Sequence, residues 1–112
     1  MNSSHYVYIY GDSLGRASGL DEIEDEIDER TRNYADVTGS GSGESGWNID
    51  VEITNNDQRG LVLSEIAKVL HAFELPWSTI LDIDGIRIDL RAIYRETVLH
   101  RESPESNRKQ DD

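Results

Sequence analysis

Eight consecutive residues, Trp47-Asn48-Ile49-Asp50-Val51-Glu52-Ile53-Thr54, alternate apolar and polar without a break, which is the period-two pattern of a strand with one dry and one wet face. A helix cannot use this pattern, because a 3.6-residue period would scatter the four apolar side chains around its circumference. Trp47, Ile49, Val51 and Ile53 therefore need a cover, whereas Asn48, Asp50, Glu52 and Thr54 need water. The stretch calls for a sheet packed under helices on one face and open on the other, and this strand is expected at its centre.

The remaining segments supply neighbours and a lid. His5-Tyr6-Val7-Tyr8-Ile9-Tyr10 is rich in β-formers and closes on Gly11-Asp12. Small branched side chains pack well beneath helices while a tyrosine hydroxyl needs a hydrogen-bonding environment, so Val7 and Ile9 are assigned inward and the tyrosines outward. After a polar connection, Ser18 with Asp21 three residues on makes an approximate capping box. Leu20, Ile23 and Ile27, followed by Tyr34, trace a narrow apolar stripe on an otherwise charged helix, supported by Glu26/Arg30 and Asp28/Arg32 at i,i+4 spacing. The acid run from Asp21 to Glu29 reads as a solvated helix face rather than a binding stripe.

Residues 34–38 read as a weak strand, and the low-complexity run Gly39 to Gly46 as the flexible tip of a hairpin. Asn55-Asn56-Asp57 is a cap-rich turn before the strongest helix, whose stripe of Leu61, Val62, Ile66, Val69, Leu70 and Phe73 ends before Pro76. Residues 77–84 and 86–91 form a second hairpin about Asp84-Gly85, a type I′ signal, with Ile86, Ile88 and Leu90 alternating against Arg87, Asp89 and Arg91. Residues 92–100 suit a strand extension or a short helix. The tail from 101 to 112 has no apolar anchor and is expected to be disordered.

Strand, helix, hairpin, helix, hairpin fits a single α+β domain over residues 1–100, a two-layer plait of the ferredoxin-like kind with a mainly antiparallel sheet and two helices on one face. A chain of 112 residues can bury a core without covalent staples. The absence of cysteine excludes disulfides and thiolate metal sites, and no stretch approaches the roughly 20 apolar residues needed to cross a bilayer. The expectation is a soluble, cytoplasmic protein, monomer or homodimer, without membrane contact.

The formal charge is -12, from 23 acids against 11 Lys and Arg, which repels phosphate backbones and anionic membranes and favours a basic protein partner. The same excess also maintains solubility. Gly41 to Gly46 spells G-x-G-x-x-G, but a dinucleotide fingerprint needs a helix after it, where here a strand is expected. Tyrosines on an open sheet invite comparison with RNA-recognition modules, yet Asp50 and Glu52 beside them would repel phosphates, so no nucleic acid partner is expected. Asp82-Ile83-Asp84-Gly85 lacks the remaining ligands of a calcium loop. The histidines are scattered, and nothing near Asp50 or Glu52 in sequence would desolvate either for acid-base work. Hence neither catalytic residues, nor a metal, nor a cofactor is expected.

Asp57-Gln58-Arg59-Gly60-Leu61, followed by Ile66 and Leu70, resembles the loop and first helix of ACT regulatory domains. That resemblance implies a small effector, such as an amino acid, bound near Gly60 with Asn56 and Asp57. The leading expectation is different: a non-catalytic interaction domain of inhibitor or immunity type, whose open sheet face carries Tyr6, Tyr8, Tyr10, Asp50, Glu52 and Asp89 to a basic protein surface. Tyrosine offers rigid contact area and cation-π faces, and carboxylates accept paired guanidinium hydrogen bonds.

Overall fold

The computed structural model describes residues 5–14 and 19–99. Its elements are β1 (His5–Gly11), α1 (Leu20–Arg30), β2 (Ala35–Gly43), β3 (Gly46–Ile53), a 3₁₀ turn (Asn56–Gln58), α2 (Arg59–Ala72), β4 (Ile80–Ile83), β5 (Ile86–Asp89), α3 (Leu90–Tyr94) and a π-helical turn (Arg95–Leu99). The strands form one antiparallel sheet in the order β2-β3-β1-β4-β5. Among the described residues the fold is thus α+β, an open five-stranded sheet with three helices.

The middle strand is β1 rather than β3, which corrects the expectation from the alternating stretch. The reason is in the crossovers. Helix α1 carries the chain from β1 to β2 and α2 carries it from β3 to β4, each crossover skipping one strand, so β3 and β1 fill one another's gaps. Strand β3 is nevertheless interior, paired along β1 on one side and β2 on the other.

Val7, Ile9, Ile49, Val51, Ile53, Leu81 and Ile83 line the covered face of the sheet. They form one buried cluster with Ile23 and Ile27 of α1, Val62, Ile66 and Leu70 of α2, and Leu90 and Ile93 of α3. Trp47 closes one end of this layer: its indole N–H donates to the Ser13 carbonyl at 3.0 Å. The ring lies over Gly11, where a Cβ would come within 3.2 Å of the indole nitrogen. Arg30 joins the two long helices, donating to Glu26 at 2.9 Å and to Glu65 of α2 at 3.1 Å. The hydrogen bond to Glu26, then that to Glu65, raises the Arg30 pKa.

Several local expectations need correction. Gly39 to Gly46 is not a flexible tip: β2 continues to Gly43, the chain turns on Glu44-Ser45, and Gly43 lies opposite Gly46. Glycine disfavours strands in isolation, but the exposed backbone ladder of β3 supplies hydrogen bonds that hold this run extended, and composition alone does not reveal that partner. The register slips between Val37 and Gly39, leaving Thr38 at a bulge. The second hairpin is shorter than expected, since residues 77–79 precede β4 and Leu90 and Arg91 belong to α3. Its turn is as anticipated, with Asp84 and Gly85 at φ 54° and 89°, both positive as a type I′ turn requires. Ile86, placed on the apolar side by alternation, is 64% exposed because it stands at the turn end of an edge strand.

Residues 90–99 form a third helical segment, not a strand extension. Asp89 starts it by accepting the Ala92 N–H at 2.9 Å, an N-cap bond. Ser18, the expected cap of α1, and residues 100–112 lie outside the described residues. The N-cap position of α1 is Gly19, without a side-chain cap bond.

The open sheet face as candidate functional site

Partners across an antiparallel ladder project to the same side of the sheet. Because Val7, Ile9, Ile49, Val51 and Ile53 face the helices, Tyr6, Tyr8 and Tyr10 share the uncovered face with Asn48, Asp50 and Glu52. The register sets Tyr8 between Asp50 and Asp82, Tyr6 opposite Glu52, and Tyr10 between Asn48 and Ile80. Tyr6 and Tyr8 stack with ring centroids 5.9 Å apart and planes 5° from parallel. They remain 38% and 43% exposed, so the pair presents aromatic surface to solvent. Asp89 stands apart from this group, opposite Ile80 on the edge strand, with its carboxylate engaged as the α3 cap.

Sequence reasoning missed two acids on this face. Asp36 lies opposite Glu52, and strand parity was the signal that could have placed it there. Asp82 lies opposite Tyr8, accepts the Gly85 N–H at 2.9 Å and has Arg87 at 3.9 Å. The glycines of β2 also gain a role. Gly39 and Gly41 stand opposite Asp50 and Asn48, leaving bare backbone beside the carboxylate; a Cβ on Gly39 would sit 3.4 Å from Asp50 Oδ2. The face is therefore stepped, with a low glycine floor, a row of acids and a raised tyrosine pair.

Among the described residues, Asp36, Asp50 and Glu52 have no basic side chain within ion-pair distance. Asp50 takes a hydrogen bond from Asn48 at 3.2 Å. Like charges directly opposite one another on a sheet, as Asp36 and Glu52 are, are destabilising.

The turn before α2 is arranged differently. Asn55 accepts the Asp57 N–H at 3.1 Å, Asn56 and Asp57 are exposed, and Gly60 lies in the first helical turn. Arg59 reaches Asp84 at 3.1 Å, and Asp84 also contacts His5 at 3.2 Å, so the turn is pinned to β1 and the second hairpin. Gly41, Gly43 and Gly46 line a depression of about 390 Å³ with Tyr10, Asp12 and Trp47. Strand β3 follows this run, so no helix N-terminus aims backbone N–H groups into it.

Compared with family models, curated proteins and solved structures, the chain has no significant match in any of the three. Among the described residues, no helix is long and apolar enough to cross a membrane.

Proposed function

We propose that this protein is a non-catalytic interaction domain whose open sheet face receives a basic protein surface, as an inhibitor or immunity-type partner would. The observation that carries the reading is the unneutralised set Asp36, Asp50 and Glu52 beside the exposed Tyr6–Tyr8 stack. An arginine laid along the glycine floor of β2 would meet the acids with its guanidinium and a tyrosine with its stem or its cationic plane. Such a partner would also relieve the repulsion between Asp36 and Glu52. The overall charge of -12 would steer its approach. We further propose that the domain is a ferredoxin-like plait carrying an added edge strand; the order of β1 to β4 about the two helix crossovers supports this.

Immobilised protein exposed to native lysate, with Asp50→Lys/Glu52→Lys and Tyr8→Ala as parallel baits, tests the function. The expected result is a basic protein retained by the parent and lost from the lysine bait. In binding kinetics, the lysine pair is expected to slow association and reverse its salt dependence, whereas Tyr8→Ala mainly speeds dissociation. Retention unaffected by the lysine pair would refute the reading. Amino acid effectors that raise the melting temperature of the isolated protein, with the shift abolished by Gly60→Val, would instead favour the small-effector alternative at Asn56, Asp57 and Gly60.

A further inference from the structure

The basic side chains are distributed unevenly with respect to their partners. Arg30, Arg32, Arg59, Lys68 and Arg87 each lie within ion-pair distance of a carboxylate. Among the described residues, Arg91 and Arg95 alone have none, in a chain with twice as many acids as bases. Both line one groove of about 240 Å³, together with His71, Trp77, Tyr94 and Leu99. The groove lies between the end of α2, the segment before β4, and α3 with its π-helical turn, and it shares no residue with the open sheet face.

Its walls are aromatic. His71 stacks on Trp77 at 4.9 Å and meets Tyr94 at 4.7 Å, while Trp77 and Tyr94 are 5.7 Å apart in an edge-on arrangement. The Arg91 guanidinium stands 5.9 Å from the Trp77 ring centre, a cation-π contact that fixes its position without neutralising it. Arg95 is one helical turn further on, so the two cations face the same side and repel each other. The π-helical geometry at Arg95–Leu99 departs from the ordinary helix at the groove itself, a distortion that often accompanies functional sites. Neighbouring unpaired guanidiniums on an aromatic wall are chemically complementary to an anion attached to a flat ring.

We propose that this groove binds a small aromatic anion, with its ring against Trp77, Tyr94 and Leu99 and its carboxylate or phosphate held by Arg91 and Arg95. The volume is below the roughly 300–1,000 Å³ typical of sites for drug-sized ligands, which suits a single ring with one acidic group and not a dinucleotide. The site is independent of the basic-partner reading, since it uses other residues and the opposite charge.

The experiment titrates the full-length chain with phenylacetate and with phenyl phosphate, following the Trp47 and Trp77 indole N–H resonances, which also report whether each variant is folded. The expected result is a saturable shift of Trp77 but not of Trp47, with the tighter of the two probes identifying a carboxylate or a phosphate ligand. Phenylacetamide and inorganic phosphate should each bind at least tenfold more weakly. Arg91→Gln with Arg95→Gln should weaken the better probe at least tenfold, Arg91→Lys with Arg95→Lys should weaken it less, and Arg87→Gln should leave it unchanged. Phenylacetamide binding as tightly as phenylacetate would overturn the proposal, as would an arginine-independent shift or no shift at millimolar probe. Binding of hexaglutamate without binding of either ring compound would also overturn it and identify the groove as a contact for acidic peptide.

Discussion

Ile49→Ala and Asp50→Ala, one residue apart on β3, are expected to differ severalfold in their effect on stability. The Ile49 side chain is fully buried between Ile9 of β1 and Ser40 of β2, whereas Asp50 lies on the open face. Truncating Ile49 removes three buried carbons, about 2.4 kcal/mol of transfer free energy at about 0.8 kcal/mol per methylene. If about 40 Å³ of the vacated space persists, the cavity adds about 1 kcal/mol. The sum, about 3.4 kcal/mol, corresponds to a fall in Tm of roughly 14–27 °C for a domain of this size. Asp50→Ala loses the hydrogen bond from Asn48 but removes one of three unpaired acids, so its net effect should stay within about 0.5 kcal/mol. Urea unfolding followed by circular dichroism measures both, with the m-value checking that the two-state slope is unchanged. A larger loss for Asp50→Ala, or less than about 1 kcal/mol for Ile49→Ala at constant m, would refute the assignment of faces.

Gly46 has φ 131° and its missing Cβ would strike the Gly11 carbonyl oxygen, so Gly46→Ala should cost more than about 2 kcal/mol in the same assay. Asp89→Ala removes the cap of α3 and is expected to cost roughly 0.5–2 kcal/mol, with faster amide exchange at Ala92 as the local readout. Thr79 Oγ1 is buried without a hydrogen-bond partner among the described residues, so Thr79→Val should be neutral or stabilising by up to about 1 kcal/mol, measured by thermal melt. Asp36→Asn should raise stability by a few tenths of a kcal/mol at low salt and lose that gain in high salt, because it removes the charge opposite Glu52.

Where local chemistry sufficed, the chain was legible from its residues alone. The alternation in β3 assigned both its faces, the apolar stripe of α2 placed Val62, Ile66 and Leu70 in the core, and Asp84-Gly85 specified its turn, because each signal depends only on a repeat period or on backbone preference at a single position. Parity within each strand, with the packing preference that turned Val7 and Ile9 inward, put Tyr6, Tyr8, Asp50 and Glu52 on one side before any pairing was known. Tertiary structure decided what depends on a partner distant in the chain. The glycine-rich run became a strand because β3 offered it a hydrogen-bonding edge, and register decided that Asp36 stands opposite Glu52 and Asp82 opposite Tyr8. Likewise His71, Trp77, Arg91 and Arg95 form one groove because helix packing brings together segments whose separate sequences show only a helix end, a pre-strand turn and a short terminal helix. Side-chain period is a local property that a sequence carries openly, whereas strand order and helix docking are settled by burial free energy summed over the whole domain.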